Sequence, residues 1–319
     1  MKYRTLGKTK LSVSEIGLGT AQIGGPSLIG GAYVGSPRIE RAEALAILER
    51  AFEAGVNFFD SSDKYGDGEA ERLLGESFGS RRDRVIIATK CGITSSGERR
   101  FDREYVRGCL HQSLENLKTD YADIFQLTKP GIHLIRSGEI YDILDELKQE
   151  GKIRFFGVST GTEEETLQLI DDNRVDTLQV FYNLLHIRPN EVFIGRASDA
   201  GIGLIIRSPL SSGVLTGKYD YKTTFSAEDD RRQFLHGATL ADRVDMVNAI
   251  ITRFGLDRNY AILHFSLNYL LSNDRISTII PGVSKLRQFE DILRLNTIER
   301  MGPALILEVE NFVKEHCKP

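Results

Sequence analysis

Three titratable side chains follow two consecutive apolar runs and together could transfer a proton. Asp60 ends the run VNFFD, Tyr65 follows it in the loop DKYGDG, and Lys90 ends the next run, VIIATK. A free tyrosine has a pKa of about 10, too high for easy proton exchange near neutrality, and an adjacent ammonium lowers it by favouring the phenolate. Asp60 would keep Lys90 charged and oriented. The alternative is a structural ion pair with Tyr65 as a loop anchor.

A fourth polar residue, Thr128, ends another apolar run. In the segment YADIFQLTKPG, residues 121–131, a short buried strand is predicted at residues 124–127, because the threonine, lysine, proline and glycine that follow would not continue it. In a parallel α/β fold, the carboxyl ends of the strands are where chemistry is usually done. Thr128 is therefore a candidate for the same site as Asp60, Tyr65 and Lys90.

The elements that must position these residues are short apolar runs alternating with amphipathic stretches of helix length, after a hairpin candidate at residues 3–19. The predicted strands lie at residues 16–18, 56–59, 85–89, 124–127, 155–158, 177–181, 204–206 and 277–280. Most do not alternate polar and apolar residues, which indicates strands covered on both faces. The pattern predicts one α/β domain, residues 1–319, folded as a single (β/α)8 TIM barrel with an N-terminal β-hairpin. A doubly wound sheet is the alternative.

The segments between the strands add helix signals and two insertions. Helices are predicted at residues 41–54 and 141–148 and from a capping box that opens at Thr162. Residues 24–37 and 218–240 interrupt the regular spacing, and each follows a predicted strand. Both should lie over the carboxyl face, where loops build pockets and lids. The alternative is that they are mobile surface loops.

Two glycine-rich segments do not match the nucleotide-binding motifs they resemble. GLGTAQ, residues 17–22, lacks the third glycine of a Rossmann turn. GVLTGKY, residues 213–219, has the wrong spacing for a P-loop and tyrosine in place of serine or threonine. Neither a Rossmann domain nor nucleotide triphosphate chemistry is therefore supported.

Composition excludes several classes of partner. The net charge is −4 and no polybasic block occurs, so nucleic acid and anionic membranes are not expected partners, and a small-molecule substrate is. The N-terminus lacks the apolar core of a signal peptide, which predicts a cytoplasmic protein. The cysteines, Cys91, Cys109 and Cys317, are widely spaced and the six histidines show no ligand spacing, so neither disulfides nor a bound metal is predicted. The sequence does not indicate an oligomeric state.

Taken together, these residues resemble the aldo-keto reductase family over nearly the whole chain. The family pattern D-x-x-x-x-Y-G, followed by G-x-E and L-L-G, is matched from Asp60 to Gly75, and the lysine strand by IATK at residues 87–90. Later segments similar to family blocks are GKIRFFGVST, QVFYN, RSPLSSGVLTGKY and IPGVSKLRQFEDI. The resemblance implies an oxidoreductase barrel that binds a nicotinamide cofactor across its carboxyl face and reduces a carbonyl, with Tyr65 as the acid/base.

The resemblance also implies which residues bind the cofactor. Ser159 and Gln179 would hold the nicotinamide carboxamide, and Arg207 stands where many members place a ring-stacking aromatic residue and some an arginine. The other implied positions are Thr20, Asp60, Ser208, Pro209, Leu210, Ser212, Gly213, Lys218, Gly282, Ser284, Lys285 and Gln288. Serine and lysine near a helix N-terminus suit a 2′-phosphate, which predicts NADPH (NADP+) as the cofactor.

Thr128 departs from the family pattern, in which a histidine usually ends strand four in a sequence such as L-H-x-P. A threonine can donate one hydrogen bond but cannot titrate. Losing the histidine should therefore lower the reaction rate about 10- to 1000-fold, the usual contribution of one positioned donor or acid. Three functions remain open: NADPH-dependent reduction of an unusual carbonyl, such as a sugar or natural-product ketone; a cofactor-retaining non-redox or double-bond-reducing reaction; and a regulatory barrel that binds NADPH.

Two histidines and one cysteine near the site have both a functional and an ordinary interpretation. His133 and His186 are predicted in loops on the catalytic face, where either could lend an imidazole, although the ordinary interpretation is a packed or solvated loop residue. Cys91, next to Lys90, is interpreted as a small packed residue rather than a nucleophile.

Overall fold

Short strands separated by helices run through the computed structural model, which describes residues 1–257 and 261–316. The strands are β1 (Tyr3–Thr5), β2 (Ser12–Ser14), β3 (Leu18–Gly19), β4 (Ser27–Ile29), β5 (Ala32–Val34), β6 (Phe58–Asp60), β7 (Ile86–Cys91), β8 (Ala122–Thr128), β9 (Ile153–Ser159), β10 (Thr177–Phe181), β11 (Gly203–Arg207) and β12 (Thr278–Ile279).

Strands β3 and β6 to β12 pair in chain order as one eight-stranded parallel sheet. The two outer strands approach each other through parallel bridges between Ile16 and Ile279 and between Gly19 and Gly282, so the sheet curls into a nearly closed barrel. The predicted (β/α)8 class is confirmed. The doubly wound alternative is wrong, because such a sheet stays open at both edges.

Helices follow the strands and cover the outside of the barrel. They are α1 (Ala21–Gly24), α2 (Arg41–Glu53), α3 (Glu69–Phe78), α4 (Arg103–Leu117), α5 (Ile132–Ser137), α6 (Glu139–Gln149), α7 (Glu163–Asp172), α8 (Gly195–Asp199), α9 (Arg231–Phe234), α10 (Gly237–Phe254), α11 (Ala261–Leu271), α12 (Leu286–Leu293) and α13 (Pro303–His316). The capping box at Thr162 forms: Thr162 Oγ1 accepts from the Glu165 N–H at 3.1 Å, and Glu165 Oε2 accepts from the Gly161 N–H at 2.7 Å.

The N-terminal hairpin closes the amino end of the barrel. β1 and β2 pair antiparallel, as predicted. Leu6 and Val13 are fully buried and pack with the barrel residues Phe58, Ile124 and Ile205 in one apolar cluster. The amino end is therefore filled by side chains, and the carboxyl end is left for a site.

The strand boundaries differ from the sequence prediction at the positions that matter for the site. β8 does not stop before Thr128 but includes it, because Thr128 still pairs with Ser159 of β9. β7 likewise runs one residue past Lys90, since Cys91 pairs with Leu127. Backbone pairing with a neighbouring strand holds these polar ends in register, and a single sequence does not contain that information.

Three further observations concern the sequence predictions on membranes, cysteines and metals. None of the helices within residues 1–257 and 261–316 is long and apolar enough to cross a bilayer. Cys91 and Cys109 carry free thiols, and Cys317 lies outside the described residues. In the described part of the chain, no group of three or more His, Cys, Asp or Glu residues is placed to hold a metal ion.

Candidate active site

Asp60 and Lys90 form a buried ion pair at the carboxyl end of the barrel. Lys90 Nζ lies 2.6 Å from Asp60 Oδ2 and donates a second hydrogen bond of 2.7 Å to the Ser61 carbonyl oxygen. Burial acts to lower the pKa of Lys90, but attraction to Asp60 and Tyr65 outweighs it, so the pKa lies above its ordinary value of 10.5. The ammonium is therefore charged throughout the neutral range.

Tyr65 lies beside this pair in a tight loop between β6 and α3. Its N–H donates to the Ser62 carbonyl oxygen at 3.1 Å. The next residue, Gly66, has a φ of +63°, and a Cβ there would lie 1.9 Å from the Gly24 carbonyl oxygen. Only glycine allows this backbone conformation with so close an approach. The absence of a side chain at Gly66 therefore lets the loop that carries Tyr65 pack against the first insertion.

The proton affinity of Tyr65 reflects opposing influences. Burial raises its pKa above the ordinary value of 10.0, while Lys90 and Arg207 favour the phenolate and Asp60 opposes it. Lys90 Nζ lies 4.7 Å from the centroid of the Tyr65 ring. The sequence analysis expects Lys90 to lower the pKa of Tyr65, and Lys90 does favour the phenolate. Burial has the larger effect, so the pKa of Tyr65 is raised overall. Tyr65 therefore keeps its proton at neutral pH.

Thr128 ends β8 next to the strand that carries Lys90. Gln126, two residues earlier, donates from Nε2 to Asp60 Oδ1 at 3.3 Å, so its side chain points into the barrel. Successive side chains of a strand alternate between its faces, which puts Thr128 on the same inner face. Its partly exposed side chain makes no hydrogen bond with residues 1–257 or 261–316. It is therefore available to a ligand.

The residues assigned to the nicotinamide end are linked to the ion pair. Gln179 Nε2 donates to Asp60 Oδ1 at 2.6 Å, and Ser159 Oγ donates to Gln179 Oε1 at 3.0 Å. Thr20 Oγ1 donates to the Asp60 carbonyl oxygen at 2.9 Å. These side chains are all buried. One hydrogen-bonded chain thus joins the candidate cofactor residues to the candidate catalytic pair.

Arg207 ends β11 beside this chain. Its Nη2 donates to the Thr160 carbonyl oxygen at 3.2 Å, and its guanidinium carbon lies 5.3 Å from the centroid of the Phe181 ring. Its Nε is buried and has no hydrogen-bond partner in the described residues. Burial lowers the pKa of Arg207, and Tyr65 and Asp60 only partly offset that effect. Such a guanidinium is suited to a ligand that supplies an acceptor or negative charge.

The turn after β11 has an unusual backbone that fits a phosphate-binding role. Ser208, Ser211, Ser212 and Gly213 have φ values of +53°, +48°, +56° and +90°. Left-handed conformations cost a serine free energy and persist where the surroundings enforce them, often at ligand clamps. Pro209 and Leu210 lie within the same turn, and Asn183 Nδ2 donates to the Ser208 carbonyl oxygen at 3.2 Å to brace it.

Positive charge collects at the implied adenosine end. Burial lowers the pKa of Lys218, and repulsion from Arg231 and Lys285 lowers it further. Lys285 is the residue before α12, and the Ser284 N–H donates to Gln288 Oε1 at 2.9 Å. Gly282 precedes this turn and joins β3 through its bridge with Gly19. Lysines from two separate loops therefore share one electrostatic neighbourhood.

Glu43 is a neighbour of this end that sequence reasoning missed. The carboxylate, from α2, accepts the Leu286 N–H at 2.7 Å and so occupies one amide in the first turn of α12. The contact joins residues 243 positions apart, and nothing near Glu43 in the sequence indicates it. Gln126 was also missed, although a glutamine inside an apolar run was a signal that could have been used.

The two insertions meet over the carboxyl face. Residues 24–37 contain the hairpin of β4 and β5, and residues 218–240 contain α9. The Gly35 N–H donates to Asp230 Oδ2 at 3.0 Å, and the Asp230 N–H donates to the Gly35 carbonyl oxygen at 3.0 Å. The Asp67 N–H, in the loop after β6, donates to Ser27 Oγ of the first insertion at 2.9 Å, so the joined loops lie at the carboxyl end of the barrel.

The remaining candidates lie apart from the ion pair. His133 is exposed in α5, and His186 is exposed with its ring centroid 5.2 Å from that of Phe181. Neither histidine makes a hydrogen bond to Asp60 or Lys90 within the described residues. Cys91 is buried, with 1% of its surface exposed, in agreement with its interpretation as a packed residue.

A parallel eight-stranded barrel with its polar residues gathered at the carboxyl ends defines the (β/α)8 class of enzymes. Within that class, the chain belongs to the aldo/keto reductase family, whose family model matches residues 15–302. It is an NAD(P)H-dependent oxidoreductase of that family.

Relatives and solved structures agree with this assignment. An uncharacterised oxidoreductase of Bacillus subtilis (strain 168) is 27% identical over 99% of this chain and 97% of its own length. L-galactose dehydrogenase of Arabidopsis thaliana is 29% identical over 95% of this chain and 90% of its own. The holo form of an aldo-keto reductase from Bacillus halodurans superposes with a TM-score of 0.78 at 24% identity, covering 100% of this chain and 97% of that one.

Proposed function

We propose that the protein reduces an aldehyde or ketone, such as a sugar or natural-product intermediate, with NADPH, and that Tyr65 is the acid that protonates the carbonyl oxygen. The observation that carries the proposal is the buried Asp60–Lys90 pair with Lys90 Nζ 4.7 Å from the centroid of the Tyr65 ring. Burying an ion pair costs desolvation free energy, and titratable groups buried together in this way are common at functional sites.

The residues present fit a nicotinamide dinucleotide. Buried Arg207 Nε has no partner, the turn from Ser208 to Gly213 is held in left-handed conformations, and Lys218 and Lys285 lie together. In this proposal Ser159 and Gln179 hold the carboxamide and Arg207 covers the ring. The remaining contacts are assigned to Thr20, Asp60, Ser208, Pro209, Leu210, Ser212, Gly213, Lys218, Gly282, Ser284, Lys285 and Gln288.

When bound, the cofactor supplies the hydride that reaches the carbonyl carbon. Tyr65 donates its hydroxyl proton to the carbonyl oxygen. Lys90 then stabilises the phenolate, because its ammonium is attracted to that charged form. Asp60 keeps Lys90 charged and in place through the 2.6 Å contact. Thr128 orients the carbonyl with a single hydrogen bond in the place where the family usually has an imidazole.

The choice of NADPH rests on charge at the adenosine end. Lys285, assigned to the adenosine end, repels Lys218, assigned to the pyrophosphate segment, and a 2′-phosphate beside Lys285 would relieve that repulsion. Glu43 acts against it, since its carboxylate holds the Leu286 N–H. Measuring kcat/KM with NADPH and NADH in the native protein and in Lys285→Gln tests the assignment. The substitution should lower the NADPH value about 10-fold and change the NADH value little, and equal losses for both cofactors would contradict it.

The chemical proposal is tested by NADPH oxidation with a panel of aldehydes and ketones. Tyr65→Phe should lower kcat about 100- to 10,000-fold, the usual contribution of a positioned general acid, while the Kd for NADPH stays within about twofold. Cofactor that persists through turnover of a substrate would favour the non-redox alternative. Tight NADPH binding without turnover of any compound would favour the regulatory alternative.

Thr128→His tests what the threonine does. If the site is intact and retuned for its own substrate, the variant should gain about 10- to 1000-fold in kcat/KM on simple aldehydes, the inverse of losing one positioned donor. Thr128→Val serves as the control, since it keeps the volume and removes the hydroxyl. A Thr128→His variant that gains nothing on any aldehyde would contradict the assignment of Thr128 to the reacting carbonyl.

A further inference from the structure

Three cations gather at the mouth of the barrel, on the side of Thr128. We call Arg99, Lys129 and Arg207 the mouth cluster. Lys129 directly follows Thr128, Arg207 ends β11, and Arg99 lies in the segment between β7 and α4. Each therefore comes from the carboxyl side of a different barrel strand, at the end of the barrel that carries the candidate site.

Lys129 and Arg207 are adjacent by direct geometry. The Lys129 N–H donates to the Ser159 carbonyl oxygen at 2.8 Å, and Arg207 Nη2 donates to the carbonyl oxygen of the next residue, Thr160, at 3.2 Å. The stem of Lys129 passes over Gly161, where a Cβ would lie 3.1 Å from Lys129 Cγ. Lys129 has a φ of +51°, a conformation that a lysine rarely adopts. The backbone thus directs the Lys129 stem along the segment Ser159–Gly161, which the Arg207 guanidinium also contacts.

The mouth cluster lacks a carboxylate partner. None of its members forms an ion pair with residues 1–257 or 261–316, whereas Lys90 and Arg100 each pair with an aspartate. The acid nearest Lys129 is Glu165, whose Oε2 is already engaged by the Gly161 N–H at 2.7 Å. Burial lowers the pKa of Lys129, and repulsion from Arg207 and Arg99 lowers it further. For the half-buried Lys129 and the buried Nε of Arg207, this lack of an ion-pair partner is unfavourable, and a ligand with negative charge would stabilise both.

Two members of the mouth cluster, Lys129 and Arg99, are not assigned to the cofactor, and the third, Arg207, is shared with the nicotinamide end. Lys218 and Lys285 interact with each other and with Arg231, whereas Lys129 interacts with Arg207 and Arg99. In the proposed arrangement, the negative charges of the cofactor lie along the turn after β11 and at α12. None of these charges is assigned to Lys129 or Arg99, and the substrate is the remaining source of negative charge for these two residues.

We propose that the carbonyl substrate carries a second, anionic group, a phosphate or a carboxylate, that the mouth cluster binds. The inference rests on the proposed carbonyl reduction and specifies its substrate class. Arg207 and Lys129 present donors to the anionic oxygens, and Arg99 adds longer-range attraction. Thr128 contributes by its size, because a threonine leaves more room than an imidazole between Tyr65 and Lys129.

Matched substrate pairs test the proposal, with NADPH as the reductant. Glyceraldehyde is compared with glyceraldehyde 3-phosphate, and butanal with 4-oxobutanoate, so that each pair differs mainly in its anionic group. The ratio of kcat/KM, anionic over neutral, should be at least about 10 for one pair, and the pair with the larger ratio distinguishes phosphate from carboxylate. Each hydrogen bond to a charged group is expected to raise kcat/KM about 10- to 100-fold.

Two variants assign the preference to the mouth cluster. Lys129→Gln should lower the ratio about 10- to 100-fold, and Lys129→Arg should restore part of it. Lys152→Gln is the matched control, because Lys152 is exposed and precedes β9 at the opposite end of the barrel. It removes the same charge and should leave the ratio unchanged.

Each outcome has a distinct meaning. Turnover of both members of each pair with ratios near 1 would overturn the inference and leave carbonyl reduction standing. A large ratio that Lys129→Gln and Lys152→Gln alter equally would also overturn it, because the preference would then come from overall charge. No turnover of any compound would overturn the proposed function, and with it this inference.

Discussion

Replacing Asp60 with asparagine removes the charge that compensates a buried ammonium. Asp60 and Lys90 are 2% and 5% exposed, and the contact between them is 2.6 Å. Removing one partner of a buried ion pair typically costs about 3–5 kcal/mol, because the other charge remains buried and uncompensated. The Ser61 carbonyl oxygen, 2.7 Å from Lys90 Nζ, is still available as an acceptor, so the lower end of that range is expected.

The pH dependence of this loss distinguishes the mechanism from general damage. In the native protein, the folded-state pKa of Lys90 is raised above 10.5. Its stabilising contribution is therefore complete below the unfolded-state pKa and is lost as the pH rises through the folded-state value. In Asp60→Asn, burial dominates and the pKa of Lys90 should fall below 10.5. The free energy of unfolding of the variant should then approach that of the native protein as the pH rises from 7 to about 10.

The assay is reversible urea unfolding at several pH values between 7 and 10, with Glu15→Gln as the control. Glu15 is 2% exposed and pairs with Arg4 at 3.2 Å and with Arg300. Arginine does not titrate in this range, so the loss in Glu15→Gln should be independent of pH. The reasoning would be refuted if the free energy of unfolding of Asp60→Asn lay within about 0.5 kcal/mol of the native value at pH 7. It would also be refuted if the difference between the two proteins did not decrease as the pH rises.

Two further substitutions probe the cofactor end. Glu43→Gln removes a negative charge from the first turn of α12 and should raise the kcat/KM ratio of NADPH to NADH about 2- to 10-fold, and a fall in that ratio would count against a 2′-phosphate at this position. Gly213→Ala places a Cβ 2.7 Å from the Tyr219 hydroxyl at a φ of +90°. It should cost about 1–3 kcal/mol of folding free energy or weaken NADPH binding correspondingly, and unchanged urea midpoints and Kd would show that the turn is not constrained.

The sequence predicted the barrel because its strands are continuous apolar runs. β10 was predicted with its observed bounds, Thr177–Phe181. β3 and β12 are shorter than their apolar runs, because the bridges of Ile16 and Gly19 with the other edge replace regular pairing. Closure of a barrel is a tertiary property, and a local pattern does not record it.

The candidate site was predictable where function places a polar residue at the end of an apolar run. Asp60 and Lys90 stand out for that reason, and the structure brings them to 2.6 Å. Glu43 does not stand out, because a glutamate on an exposed helix face is ordinary until the fold places it against α12. The net direction of the Tyr65 pKa was also not predictable, since it depends on burial, and only the folded structure shows how deep the loop lies.

The positive charges near Thr128 would affect the protonation of a histidine placed at that position. Burial lowers the pKa of the neighbouring Lys129 ammonium and repulsion from Arg207 and Arg99 lowers it further, and the same charges would lower the pKa of an imidazole at position 128. A histidine there would be neutral throughout the physiological range and would differ from threonine in the reach of its donor rather than in charge. The activity gained by Thr128→His should therefore be independent of pH between about 6.5 and 8. A gain that rises as the pH falls would instead mean that the imidazole is protonated, and that the mouth cluster is neutralised or more distant than its contacts with Ser159 and Thr160 indicate.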